Sequence, residues 1–277
     1  MFPINHDLHC HSGLSSCSNE PDFSADDILR HAVACGYDMV AITNHMFDSL
    51  LGTHPFYGYQ NEIHLRKALP LPKAEGIRFL YGCETEMIGY GRIALHPSHY
   101  DEYEIILIPV NHFDLNGFTR NTDCSVGADW FRDQLLRLES ITDLDLPWKR
   151  IGLAHLRWFE AEADEIPAML ALESRYEEVF QTFARLGAGI ELNAAAFIYT
   201  DPSKRNLYDT LSPEAKKSKC VSYDKMLWLF SLAKKAGCKF YLGSDAHDHR
   251  RLDWPGLYLP RICTDLGLTD NDRFMPM

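Results

Sequence analysis

Short apolar runs punctuate the chain, and most of them lack polar alternation. They are Met39-Val40-Ala41-Ile42, Ile77-Arg78-Phe79-Leu80-Tyr81, Glu104-Ile105-Ile106-Leu107-Ile108, Ile151-Gly152-Leu153-Ala154, Gly189-Ile190-Glu191-Leu192 and Lys239-Phe240-Tyr241-Leu242. A strand with one wet face alternates; a parallel strand covered on both faces does not. Helical patterns or long crossovers separate the runs. Ser24 and Asp27 form a capping-box start, Ile28, Leu29, Ala32 and Val33 a stripe, and Gly36 a stop. Further helices are expected over 129–140, over 173–186 before Gly187, and over 223–236 between Ser222 and Gly237, with a short helical pattern at 62–69. With the front segment, which starts Phe2-Pro3-Ile4, seven strands alternate with helices, and the tail after Leu252 reads as irregular. The pattern predicts a closed or nearly closed (β/α) barrel, with a doubly wound open sheet as the alternative.

The 277 residues suit one such barrel, so residues 1–277 read as a single domain. The net charge of −12 repels phosphate backbones and disfavours non-specific nucleic-acid binding, while a local basic pocket or a metal still admits a small anion. The eight cysteines are scattered and form no Cys-x-x-Cys, which reads as reduced thiols in a cytoplasmic protein. No signal peptide precedes the first motif, and no run is long enough to span a membrane.

Each run ends in side chains that bind metals. The front segment, Asp7-Leu8-His9-Cys10-His11, places His9 and His11 on one strand face, with Asp7 available to accept a ring N–H. The later runs end in Thr43-Asn44-His45, Gly82-Cys83-Glu84, Asn111-His112, His155, Asn193 and Gly243-Ser244-Asp245-Ala246-His247. All strand C-termini of a parallel barrel share one face, so these residues converge on one mouth. One histidine at a strand end is an ordinary core or loop group; the same role repeated along the chain points to metal. Imidazole mixed with carboxylate favours Zn, Mn or Fe over Mg or Ca. The set exceeds what one ion takes, so two or three divalent ions are expected, with Glu84 as the bridging carboxylate and Glu86 as its fallback. Such clusters activate water and stabilise both the attacking and leaving oxygens of a phosphoryl group.

These motifs, in this order, resemble those of the PHP (polymerase and histidinol phosphatase) superfamily over residues 1–250. The resemblance implies a distorted (β/α)7 barrel with a metal cluster and phosphoesterase activity, as in histidinol-phosphate phosphatases. It implies that His9, His11, Glu84 and Asp245 hold one ion and act as the catalytic set, that Glu84, His112 and His155 hold a second, and that His45 and His247 serve a third. Two positions depart from the pattern. Asn44 stands where Asp is frequent, and Ser15-Ser16-Cys17 stands where a further Asp or His is frequent. Cys17 can ligate as a thiolate, but its plainer reading is a spectator thiol.

Phosphate also needs donors from the protein. Arg205 lies in a locally basic stretch with Lys204, Lys216, Lys217 and Lys219, and its guanidinium can clamp a phosphate; Arg157, Arg250 and Asn193 are further substrate-side candidates. Tyr57, Phe113 and Tyr199 can line an organic leaving group. The leading expectation is a phosphomonoesterase that hydrolyses a small phosphorylated metabolite by a metal-activated hydroxide. The alternatives are a nucleotide phosphodiesterase or exonuclease, an amidohydrolase-like C–N hydrolase, and a metal-stabilised scaffold without catalysis. The first of these wants a basic groove with stacking aromatics. The second shares His-x-His but not the Gly-Ser-Asp-Ala-His ending. The last requires every ion to be coordinatively closed.

Overall fold

The computed structural model describes residues 1–54, 57–111, 124, 127–159, 161–198, 200 and 222–277. Its centre is a parallel sheet of seven strands: β1 (His6–Cys10), β2 (Met39–Ile42), β3 (Arg78–Thr85), β4 (Ile105–Pro109), β5 (Ile151–Ala154), β6 (Gly189–Asn193) and β7 (Lys239–Gly243), each paired with the next up to β7. A short strand, His45–Met46, extends the β2 side by pairing with the upper part of β3. The sheet curls until β7 meets β1. Asp245 N–H donates to the His9 carbonyl at 2.8 Å, and His11 N–H to the Ala246 carbonyl at 2.8 Å. The result is a nearly closed seven-stranded α/β barrel, not an open sheet.

The runs lack alternation because both faces are dry, yet the two faces pack against different partners. Met39 and Ala41 of β2, and Ile105 and Leu107 of β4, point into the barrel with Leu8, Leu80, Ala154 and Tyr241. Val40, Ile42, Ile106 and Ile108 point outward against the surrounding helices. Phe274 joins the interior cluster, and its segment bonds to β7. Gly82 lies inside β3. A Cβ there would meet Ile105 Cγ2 at 2.5 Å, so glycine serves close strand packing.

Helix α1 (Ala25–Cys35) begins with the expected Ser24/Asp27 capping box and ends at Gly36 with φ 66°. It buries Ile28, Leu29 and Ala32, but Val33 is exposed, so the apolar stripe is narrower than its sequence suggests. Helices α2 (Gly127–Ile141), α3 (Glu173–Leu186) and α4 (Tyr223–Lys235) follow the expected periodicity. Ser222 occupies the N-cap of α4 without a side-chain capping bond. The tail after Leu252 is more ordered than expected, with helices Trp254–Tyr258 and Pro260–Asp265 that bury Pro255, Ile262 and Cys263. None of the described helices is long and apolar enough to cross a membrane.

The β1–β7 seam carries a titratable group. His6 is fully buried, and its Nε2 accepts the Leu242 N–H at 3.1 Å. Burial, reinforced by Arg273 and opposed by Asp38, lowers its pKa to about 3. The unfolded chain therefore binds a proton that the folded one refuses, between pH about 3 and the ordinary value of 6.5. Folding stability from this residue is complete above that window and falls as pH drops through it, by up to about 1.4 kcal/mol per pH unit. In denaturant titrations from pH 7 to 4, His6→Gln, whose amide oxygen can accept the same N–H, is expected to show a pH slope shallower by about one proton. An unchanged slope would remove His6 as the source.

Candidate metal centre

Strand direction and strand parity together build the site. Leu80, Gly82 and Glu84 share one face of β3. Leu80 points into the barrel, so Glu84 does too, four residues nearer the C-terminal end. Glu84 lies within β3, not beyond its end as the apolar run suggested. The register of β1 against β2 shifts between Asp7 and Cys10. His9 and His11 both face the same space, with ring centroids 5.1 Å apart.

Four ligand atoms meet there. His9 Nε2 lies 3.1 Å from His11 Nε2, 3.5 Å from Glu84 Oε2 and 3.6 Å from Asp245 Oδ1. His11 Nε2 lies 3.4 Å from Glu84 Oε2 and 3.2 Å from Asp245 Oδ1. Ligands about 2.0–2.1 Å from a tetrahedral ion stand roughly 3.3 Å from one another. The spacings therefore match the edges of one coordination shell. The opposite oxygens face a second position: His155 Nε2 is 3.4 Å from Glu84 Oε1 and 3.6 Å from Asp245 Oδ2. Glu84 is fully buried, and among the described residues its Oε1 has no hydrogen-bond partner. A buried carboxylate oxygen without a donor is costly, and a cation would satisfy it. The donor set thus fits metal ions.

Two of these residues adopt the left-handed backbone region, His155 at φ 62° and Asp245 at φ 53°. Neither is glycine, and such a conformation costs on the order of 1 kcal/mol. Each follows the end of its strand, and the turn aims the side chain back across the barrel mouth. His155 N–H donates to Glu191 Oε2 at 2.7 Å, which holds the strained residue in place.

Electrostatics couples the cluster. Burial alone pulls the His9 pKa down, but Glu191, Glu84 and Asp245 outweigh it and hold it well above the ordinary value. Burial pushes Glu84 up, and His9 and His45 overcome this and hold its carboxyl well below the usual range. Asp245 is held down in the same way by His9 and His11. His11 is driven well below its ordinary pKa by burial, His247 and His45.

His45 and His247 complete the outer part of the cluster. His45 Nδ1 is 2.8 Å from Glu84 Oε2, and the ring centroids of His11 and His247 are 4.0 Å apart. His11, His45 and His247 bring ligand atoms within 4.8 Å of one another. Cys17, read from sequence as a spectator, lies here, with Sγ 3.1 Å from His45 Nε2. Partial desolvation of the sulfur raises the thiol pKa, but the neighbouring His247 and His45 outweigh that and bring it to about 6. Glu86 is buried and accepts from Tyr57 Oη at 2.7 Å.

Among the described residues Asp7 takes no ring N–H. Its Oδ1 accepts the backbone N–H of His9 and of Ser244, at 3.2 and 3.0 Å, and so ties the first motif to the last. The ring partner is Glu191, which sequence reasoning passed over: Oε1 lies 2.6 Å from His9 Nδ1. The available signal was parity, because Glu191 shares the inward face with Asn193 and is a charge inside a doubly buried strand. Gly243 makes room for it; a Cβ there would stand 2.1 Å from Glu191 Oε1.

On the substrate side, Asn193 caps the helix Ala194–Ile198, its Oδ1 accepting Ala196 N–H at 3.2 Å. Its buried Nδ2 has no partner among the described residues. Arg157 is half-buried beside Phe159, with Nη2 3.4 Å from the Asn111 carbonyl. Arg250 is exposed and paired with Asp248. His112, Phe113, Tyr199, Lys204, Arg205, Lys216, Lys217 and Lys219 lie outside the described residues.

The PHP domain family matches residues 7–195. No curated protein matches the sequence. Among solved structures, the chain resembles the histidinol phosphate phosphatase HisK of Lactococcus lactis, complexed with zinc, L-histidinol and phosphate. The identity is 14%, the TM-score 0.53, and the match covers 98% of this chain and 99% of that one. It also resembles a Listeria monocytogenes protein assigned as the histidinol phosphatase HisK, at 14% identity and TM-score 0.58, over 89% of this chain and 96% of that one.

Proposed function

From the premise that this chain belongs to the PHP domain family and is a metal-dependent phosphoric ester hydrolase, we propose that it cleaves a small phosphorylated metabolite as a monoester. The observation that carries this reading is the double use of Glu84 and Asp245. In each, one oxygen is directed to His9 and/or His11 and the other to His155. Ions held at two adjacent positions that share these carboxylates would suit a phosphoryl group, whose charge must be met on both the attacking and the leaving side.

Divalent ions, once bound, lower the pKa of coordinated water and neutralise phosphoryl charge. We assign His9, His11, Glu84 and Asp245 to the first position, and His155 with the second oxygens of Glu84 and Asp245 to the other. His112 belongs with that second group by its place in the sequence. Zn, Mn and Fe suit the donors, since imidazole nitrogen and carboxylate oxygen are mixed. Asn193 Nδ2 is a buried donor at the end of β6, suited to a phosphate oxygen. Arg157 and Arg205 are the cations assigned to the ester. A monoester of a small molecule agrees with a chain of net charge −12, which gives no general attraction to a polymer of phosphates.

Metal-replete protein should hydrolyse phosphomonoesters faster than phosphodiesters, dinucleotides or amides in a side-by-side screen. Arg157→Ala should raise KM for the best phosphomonoester by roughly tenfold, the scale of a charge-assisted hydrogen bond. Faster turnover of diesters or amides would replace the monoesterase reading, and an unchanged KM would take Arg157 out of the site.

A further inference from the structure

We propose that Cys17 is a metal ligand, joining His45 and His247 in a mixed nitrogen–sulfur site on the solvent side of the cluster. Three observations meet at this sulfur. First, Sγ lies 3.1 Å from His45 Nε2, and His45 and His247 bring ring nitrogens within 4.8 Å of one another. Second, the tautomer of His247 is set: its Nδ1 lies 2.9 Å from the Asp245 carbonyl, which can only accept. Nδ1 therefore carries the proton, and Nε2 keeps its lone pair for a cation. Third, the loop that carries Cys17 is tied down on both sides. Ser15 Oγ donates to Asn44 Oδ1 at 3.0 Å, Ser16 N–H to Gln60 Oε1 at 2.8 Å, and Ser18 Oγ to the His247 carbonyl at 2.9 Å. A thiol held this way beside imidazoles from two other segments is pre-organised, unlike a side chain on a free loop.

The donor set defines the ion. Two imidazoles and a thiolate are softer than the carboxylate-bridged pair of positions next to them. The outer site should therefore select Zn2+ and discriminate against Mn2+, while the inner positions accept either. Coordination converts the thiol to thiolate and releases its proton to solvent, so that one S–H bond is lost for one S–metal bond gained. Cys17 is exposed, so the ion it holds borders solvent and can exchange.

This inference rests on the metal-binding part of the reading above and is independent of the substrate. Its test is spectroscopic. Protein loaded with Co2+ should show near-ultraviolet thiolate-to-cobalt charge-transfer absorption. Cys17→Ser should abolish that band and remove about one Zn2+ equivalent, while ions at the His9–His11–Glu84–Asp245 and His155 positions remain. Cys17→Asp should restore the equivalent without the band and shift the preference towards Mn2+. Cys35→Ser serves as control, because Cys35 is also exposed and lies 3.4 Å from a histidine ring, that of His31. It should leave the band intact. A fully loaded wild type with no charge-transfer band would overturn the proposal. So would a band that survives Cys17→Ser, or one lost on Cys35→Ser. Failure to hydrolyse phosphomonoesters would change none of these readings and would count against the substrate assignment alone.

Discussion

Glu84→Gln protein is expected to fold, to lack at least one metal equivalent, and to lose phosphoester hydrolysis by roughly a thousandfold or more, the scale of removing a group at the reacting centre. Its carboxylate oxygens face different partners, Oε2 towards His9, His11 and His45 and Oε1 towards His155. An amide has one oxygen and one NH2, so one of the two cation positions would face a donor. The negative charge that offsets repulsion between neighbouring ions would also be gone. The barrel core lies below, in Leu8, Leu80, Leu107 and Tyr241, and it is untouched. Elemental analysis of both proteins, with circular dichroism as the fold control, tests this. Full metal content with normal turnover would end the bridging assignment.

Removing Glu191 should be nearly as damaging by another route. Its two oxygens hold His9 Nδ1 at 2.6 Å and His155 N–H at 2.7 Å, one in each group of ligands. In Glu191→Ala, His9 loses the partner that orients its ring, and the left-handed backbone at His155 loses its anchor. The expected cost is a 10–100-fold drop in metal affinity, typical of a hydrogen-bond partner behind a ligand. Metal-free stability should fall by roughly 3 kcal/mol, as when one member of a buried pair is deleted. Glu191→Gln should lie between, because its oxygen can still serve His9 while its NH2 opposes the His155 N–H. Competition with a chromophoric chelator and denaturant titration of the chelated protein give the two numbers. Wild-type values for both in the Ala variant would show that Glu191 is only packing.

The barrel was legible in the sequence because burial on both faces suppresses polar alternation, and the strand ends then marked the site. His9, His11, His45, Glu84, His155, Asp245 and His247 all gather where that reasoning placed them. Reading only the ends also set its limit. Glu191 sits two residues before the end of β6, and a run scanned for its last residue hides a charge inside it. Asp7 was assigned to a ring N–H because it is the nearest acid in sequence, whereas the His9 ring turns across the lumen towards β6. Cys17 was discounted because a single thiol in a polar loop has no periodicity. Only the folded loop places it against His45.

The seam between β1 and β7 also governs the order of assembly. His9 and Asp245 both line the candidate metal centre, yet 236 positions separate them, and their strands meet only when the barrel closes through the Asp245 N–H to His9 carbonyl bond. A chain emerging from the ribosome can pair β1 with β2, then β3 with β4, and still present only part of the first coordination shell. Metal capture at the proposed positions would thereby be postponed to the last strand, and the partial ligand sets exposed earlier would hold an ion more weakly than the finished one. An ion bound at the proposed positions would then act as a latch on a completed barrel, adding to its stability by mass action and doing little for the intermediates that lead to it.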